Sequence, residues 1–79
     1  MATAFVLINS EMGLEEEVLT ALKGIDSVVE ANVVYGVYDL VAKVQGTSSD
    51  ELKNIILTQI RSLENVRSTL TMIVIEDHS

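Results

Sequence analysis

The chain is 79 residues long, has neither cysteine nor proline, and carries twelve acidic against five basic side chains for a net charge of −7. That composition excludes disulfides and thiolate metal sites, and its acidity opposes attraction to phosphate backbones, so no direct nucleic-acid binding is expected. A core of this size supplies no more than about 3 to 5 kcal/mol unaided, which makes oligomerisation the expected source of further stability.

Thr3 to Asn9 is a short apolar run rich in β-formers, closed by the polar Ser10-Glu11-Met12-Gly13, and its length argues for a strand. From Leu14 the apolar residues fall at Leu14, Val18, Ala21, Leu22 and Ile25, a helical stripe. Glu15, Glu16 and Glu17 occupy its first turn, where the helix dipole favours anions, and the helix is expected to end near Gly24. Val28 to Tyr35 and Tyr38 to Gln45 are β-rich runs flanking Gly36, a residue that turns a hairpin without steric cost, so they should pair antiparallel. Ser48-Ser49-Asp50-Glu51 has the form of a capping box. Leu52, Ile55, Ile56, Ile60 and Leu63 follow at helical spacing and predict a second helix to about Ser62. Val66 to Glu76 alternates and then becomes apolar, as a last strand.

Two stretches repeat. Leu22-Lys23-Gly24-Ile25-Asp26-Ser27-Val28 and Ile60-Arg61-Ser62-Leu63-Glu64-Asn65-Val66 carry residues of like kind about 38 positions apart, each where a helix hands over to a strand. Two tandem βαβ units with right-handed crossovers give an α+β fold: a ferredoxin-like βαββαβ sandwich, its four-stranded antiparallel sheet carrying both helices on one face. Pleat alternation separates Leu70, Met72 and Val74 from Thr69, Thr71, Ile73 and Ile75. On the third strand it sets Leu40, Ala42 and Val44 against Asp39, Val41 and Lys43. The helix-free face is expected to hold Val41, Ile73, Ile75 and part of the first strand, an apolar patch that predicts a sheet-to-sheet dimer.

The joint Val34-Tyr35-Gly36-Val37-Tyr38-Asp39-Leu40 and the closing run Asn65-Val66-Arg67-Ser68-Thr69-Leu70-Thr71-Met72-Ile73-Val74, set in this element order, resemble the ligand-binding and oligomerisation domain of the Lrp/AsnC feast/famine regulators. The resemblance covers essentially all of residues 1–79, as one effector-binding domain. Since the first strand starts by Thr3, no room remains for the family's helix-turn-helix, and the closer likeness is to a stand-alone form that acts in transcriptional regulation without reading DNA. The resemblance implies homodimers joined through their sheets, an octamer or similar ring built from them, a small amino acid bound where dimers meet, and full-length Lrp/AsnC regulators as further partners.

Carried to matching positions, Tyr35, Gly36, Tyr38 and Asp39 form the turn side of that pocket, and Thr69 and Thr71 bring hydroxyls from the last strand. Asp39 can pair with an ammonium, while backbone N–H groups near Gly36 or the threonine hydroxyls can hold a carboxylate. Each residue also has a plainer role. Gly36 permits the hairpin, Asp39 can end or solvate a turn, Thr69 and Thr71 are good strand formers, and the tyrosines can cap an interface edge.

No catalytic residue, metal or cofactor is implied. A cofactor-free enzyme of the dimeric α+β barrel type needs an acid or base in its cavity, and only the tyrosines, Asp39, Lys43 and Glu30 could serve. Acylphosphatase chemistry requires an anion-binding arginine loop where Asn9-Ser10-Glu11-Met12-Gly13 stands, RNA-binding sheets need stacking aromatics and a basic surface, and metal chaperones need a CxxC. His78 is read as solvated and given no role. The competing reading is an ACT-like amino-acid-binding module, with its site at the loop after the first strand and Gly13 as the permissive residue. No apolar run approaches the roughly 20 residues of a membrane span, and no signal peptide is recognisable, so a soluble, cytoplasmic chain without a membrane partner is expected.

Overall fold

Strand β1 (Ala2–Ser10), described with the rest of residues 1–75 by a computed structural model, alternates strictly. Ala4, Val6, Ile8 and Ser10 are buried and the residues between them are only half-covered. It runs through the interior of a four-stranded sheet with β2 (Val28–Val33), β3 (Leu40–Gly46) and β4 (Val66–Ile73), in the order β2-β3-β1-β4 with every pair antiparallel. Helix α1 (Glu15–Lys23) and helix α2 (Ser49–Ile55) cross over between them. The expected βαββαβ sandwich is the observed fold. Glu76 and His78 lie outside the described residues.

One face of the sheet meets both helices. Ala4, Val6 and Ile8 of β1 and Leu40, Ala42 and Val44 of β3 pack with Val18 and Leu22 of α1 and Leu52 and Ile55 of α2. The internal repeat is visible in that core: Leu22 and Ile60 are both fully buried, and Ile25 N–H and Leu63 N–H donate to Leu22 O and Ile60 O at the same 3.1 Å. Asn65 opens β4 with φ 72°, a left-handed conformation that Asn tolerates better than most residues.

Ladder partners share a face, which settles the orientation of β4. Ala4 pairs with Ile73, Val6 with Thr71 and Ile8 with Thr69, so these three β4 residues lie on the helix side. Phe5 and Met72, Leu7 and Leu70, and Val41 beside Leu7 lie on the other. The helix-free face is therefore apolar as expected, but Ile73 does not belong to it and Ile75 follows the strand. Leu70 and Met72 take their place, at 45% and 48% exposure. Alternation divides a strand into two sets without saying which turns inward. Here the choice is made by the β1–β4 register, which shifts at a bulge between Asn9 and Ser10.

Two further expectations change. The hairpin does not turn tightly about Gly36: β2 stops at Val33, β3 starts at Leu40, and the loop between them is closed by Val34 N–H donating to Asp39 O at 2.8 Å. The second helix is not α-helical to Ser62, because Ile56–Ile60 form a π-helical turn. Its start is as expected, with Ser48 Oγ accepting from Glu51 N–H at 3.1 Å, although the Glu51 carboxylate turns to Thr47 and not to Ser48 N–H. Among the described residues no helix is long and apolar enough to cross a membrane.

Candidate ligand-binding site

The two halves of the anticipated pocket line different depressions of one chain. In the β2–β3 loop Tyr35 and Val37 are almost fully exposed, at 106% and 86%, while Tyr38 and Asp39 are half-buried. Gly36 has φ 158°, at the edge of the extended range, and a Cβ there would meet nothing within 4 Å. Asp39 is tied into the sheet. Its N–H donates to Ile8 O at 2.9 Å, and its Oδ2 accepts from Ser10 N–H at 2.9 Å and from Ser10 Oγ at 3.5 Å. It lines a polar recess of about 300 Å³ with Asn9, Ser10, Arg67 and Ser68.

Thr69 and Thr71 line a different depression. Helix α2 packs over β1 and β3, which leaves the helix-side surface of the edge strand β4 only partly covered. The result is a groove of about 480 Å³, open to solvent, between that strand and the end of the second helix. Thr69, Thr71 and Ile73 form one wall, and Lys53, Ile56, Leu57 and Arg61 the other. Leu40, Ile8 and Thr69 form one row across β3, β1 and β4, so the loop's end of β3 and Thr69 stand two strand spacings apart, about 10 Å. Asp39 lines a recess separate from the one lined by the threonines, and neither depression holds all six residues.

The π-helical turn shapes the groove. Arg61 N–H donates to Ile56 O at 2.9 Å, five residues back, so one extra residue is accommodated and the helix widens. On an uninterrupted α-helix, residues eight apart stand about 80° out of line. The wider turn takes up that offset, and Lys53 and Arg61 line the same groove. Carbonyls around the turn are served by hydroxyls, with Thr58 Oγ1 donating to Asn54 O at 2.7 Å and Ser62 Oγ to Thr58 O at 2.6 Å.

Lys53 and Arg61 were not legible as site residues, because each reads as part of a solvated helix face and only the π turn and the position of α2 place them opposite β4. No acidic residue lines the groove. Among the described residues the only ion pair is Arg67 with Glu11 at 3.8 Å, both well exposed and so of little energetic weight. The groove is thus a cationic, hydroxyl-bearing depression with apolar walls in a chain of net charge −7. Such a surface suits a small anion carrying an aliphatic group. Gly13, the permissive residue of the ACT-like alternative, has φ 80° in a turn where Leu14 N–H donates to Glu11 O at 3.0 Å, and chain reversal accounts for it.

Comparison with known proteins gives a consistent picture. The family description "Lrp/AsnC ligand binding domain" matches residues 3–79. The HTH-type transcriptional regulator FL11 of Pyrococcus furiosus is 39% identical over 75 residues, which cover 95% of this chain and 49% of the relative. The chain thus spans about half the length of the curated relatives it matches. Among solved structures, TTHA0845 from Thermus thermophilus superposes with a TM-score of 0.94 at 34% identity, covering 100% of this chain and 99% of its own. The transcriptional regulator NMB0573 of Neisseria meningitidis, solved as a complex with L-Met, shares the fold at a TM-score of 0.86 and 14% identity, over 99% of this chain and 52% of its own.

Proposed function

The chain belongs to the Lrp/AsnC ligand-binding domain family, and on that footing we propose that it is a small-molecule sensing and assembly module. It acts in transcriptional regulation, in the cytoplasm, without catalysis or a cofactor. Its ligand is a small amino acid or a close relative of one. The observation that carries this reading is the division of the expected pocket over two separate places. Tyr35, Gly36, Tyr38 and Asp39 lie at the loop, Thr69 and Thr71 lie in the groove, and a second copy is what can complete a site containing both.

Copies pair first through the apolar sheet face of Phe5, Leu7, Val41, Leu70 and Met72, and the pairs then assemble into a ring in which the exposed loop of one pair meets the groove of the next. A ligand held between pairs shifts the balance of assemblies by its differential affinity for them. Full-length Lrp/AsnC regulators are candidate partners in the same ring. Two likenesses support the reading: TTHA0845 is a chain of matching length, and the fold binds L-Met in the Neisseria regulator.

A thermal-shift panel of the twenty free amino acids, read at fixed protein concentration, tests it. One-site binding at 100 times Kd adds about 2.7 kcal/mol, and in so small a domain that raises Tm by roughly ten degrees or more. A selective rise with one or a few related amino acids is the expected result. A flat panel would reject amino-acid sensing and leave an assembly module.

A further inference from the structure

Resting on the reading that this domain senses a free amino acid, we propose that the recess between Asp39 and Arg67 grips both charged ends of the ligand's head group, with Arg67 and Ser68 as its carboxylate-binding residues. Neither of those two is among the residues that the resemblance assigns to the pocket.

The recess, about 300 Å³, is lined by Asn9, Ser10, Asp39, Arg67 and Ser68, so an anion and a cation face one cavity from two elements of one chain. They do not neutralise each other: among the described residues the only ion pair is Arg67 Nε with Glu11 Oε2 at 3.8 Å. A ligand that carries an ammonium beside a carboxylate fits between them. On the acid side, Ser10 N–H donates to Asp39 Oδ2 and fixes the carboxylate, while Oδ1 has no hydrogen-bond partner among the described residues. On the basic side, Asn9 Nδ2 donates to Ser68 Oγ at 3.2 Å, which leaves the Ser68 hydroxyl hydrogen free to join the Arg67 guanidinium in donating to a carboxylate. The Glu11 contact is long and its partners are 64% and 55% exposed, so it holds the guanidinium weakly. A neighbouring copy whose groove meets this loop brings Lys53 and Arg61 as rival cations. Arg67 is the cation that shares a recess with Asp39 already within one chain.

Calorimetric titration of the full chain is the test. Any of the twenty free amino acids that binds is compared with its amide, which lacks the carboxylate, and with its 2-oxo acid, which lacks the ammonium, in the wild type and in Arg67→Gln, Glu11→Gln and Arg61→Gln. All three positions are exposed, so the variants should keep the circular dichroism and Tm of the wild type. In the wild type the amide and the 2-oxo acid should each bind at least about tenfold more weakly than the amino acid. Arg67→Gln should weaken the amino acid about tenfold and leave the amide unchanged, closing the gap between them, while Glu11→Gln and Arg61→Gln keep that gap. A gap that survives in Arg67→Gln would overturn the inference by placing the carboxylate on another donor, and one that closes in Arg61→Gln instead would name that donor as the neighbouring copy's groove. A gap that closes equally in Glu11→Gln would also overturn it, since the effect would then lie in the Arg67–Glu11 contact. So would a 2-oxo acid within about threefold of its amino acid, because Asp39 would then hold no ammonium. Each of these results leaves amino-acid sensing intact. If no free amino acid binds, the sensing reading itself falls, and this inference with it.

Discussion

The carboxylate of Asp39 accepts from the Ser10 backbone N–H, so the residue that the turn motif offers to an ammonium also holds the β2–β3 loop against β1. A charge-assisted hydrogen bond to a partly buried N–H is worth roughly 1 to 3 kcal/mol when one partner is removed. Asp39→Ala should therefore lower the unfolding free energy in urea by about that much, while Asp39→Asn, which keeps an oxygen acceptor, should lose less than half as much. Equal losses in the two variants would show that the charge and not the acceptor matters. Ligand binding lost in Asp39→Ala but kept in Asp39→Asn then reports loop position and not a missing ion pair. A second residue, Ile60, shows how little reserve the domain has. It is fully buried, and Ile→Ala in a core costs about 2 to 5 kcal/mol, comparable to the entire stability expected of so small a core. Ile60→Ala should be largely unfolded at 25 °C by circular dichroism, and its repeat partner Leu22→Ala should behave alike.

The two βαβ units were legible because their signals are local. The Leu14–Val18–Leu22 stripe buries Val18 and Leu22, and the serine before α2 caps it. Ser48→Ala should accordingly cost about 1 kcal/mol, measured by thermal or urea unfolding, with Ser49→Ala close to neutral as a control. What escaped the sequence is non-local. The inward set of β4 depends on the bulge opposite Asn9 and Ser10, and Ile73 looked no different from Leu70 until that register was known. The spacing of Ile56, Ile60 and Leu63 suits an α-helix, so nothing along the chain marks a π turn, whose extra residue brings Leu52 and Ile60, eight apart and both fully buried, onto one side of the helix. The site was half legible for the same reason. Thr69 and Thr71 stand in a motif, whereas Lys53 and Arg61 become neighbours of those threonines only through the path of the second helix over the sheet.

For the assembled protein two opposing terms decide whether copies associate. Phe5, Leu7, Val41, Leu70 and Met72 make one sheet face apolar, and covering it against a second copy is favourable at roughly 25 cal/mol per Å² of apolar area. Against this, each copy carries a net charge of −7, and two such copies repel. Replacing Leu70 and Met72 together by lysine should remove much of the apolar contact and shift sedimentation equilibrium to the monomer, with Tm no longer rising with protein concentration. Salt distinguishes the two terms without mutation. Raising ionic strength from 0.1 to 1 M shortens the screening length from about 10 to about 3 Å, which weakens the repulsion and leaves the apolar gain in place. Association of the wild type should tighten with added sodium chloride. An interface made instead by cross-chain ion pairs, with Glu30 and Lys43 on the rim of the same face as the nearest candidates, would loosen with salt, and that outcome would move the dimer contact away from the apolar patch.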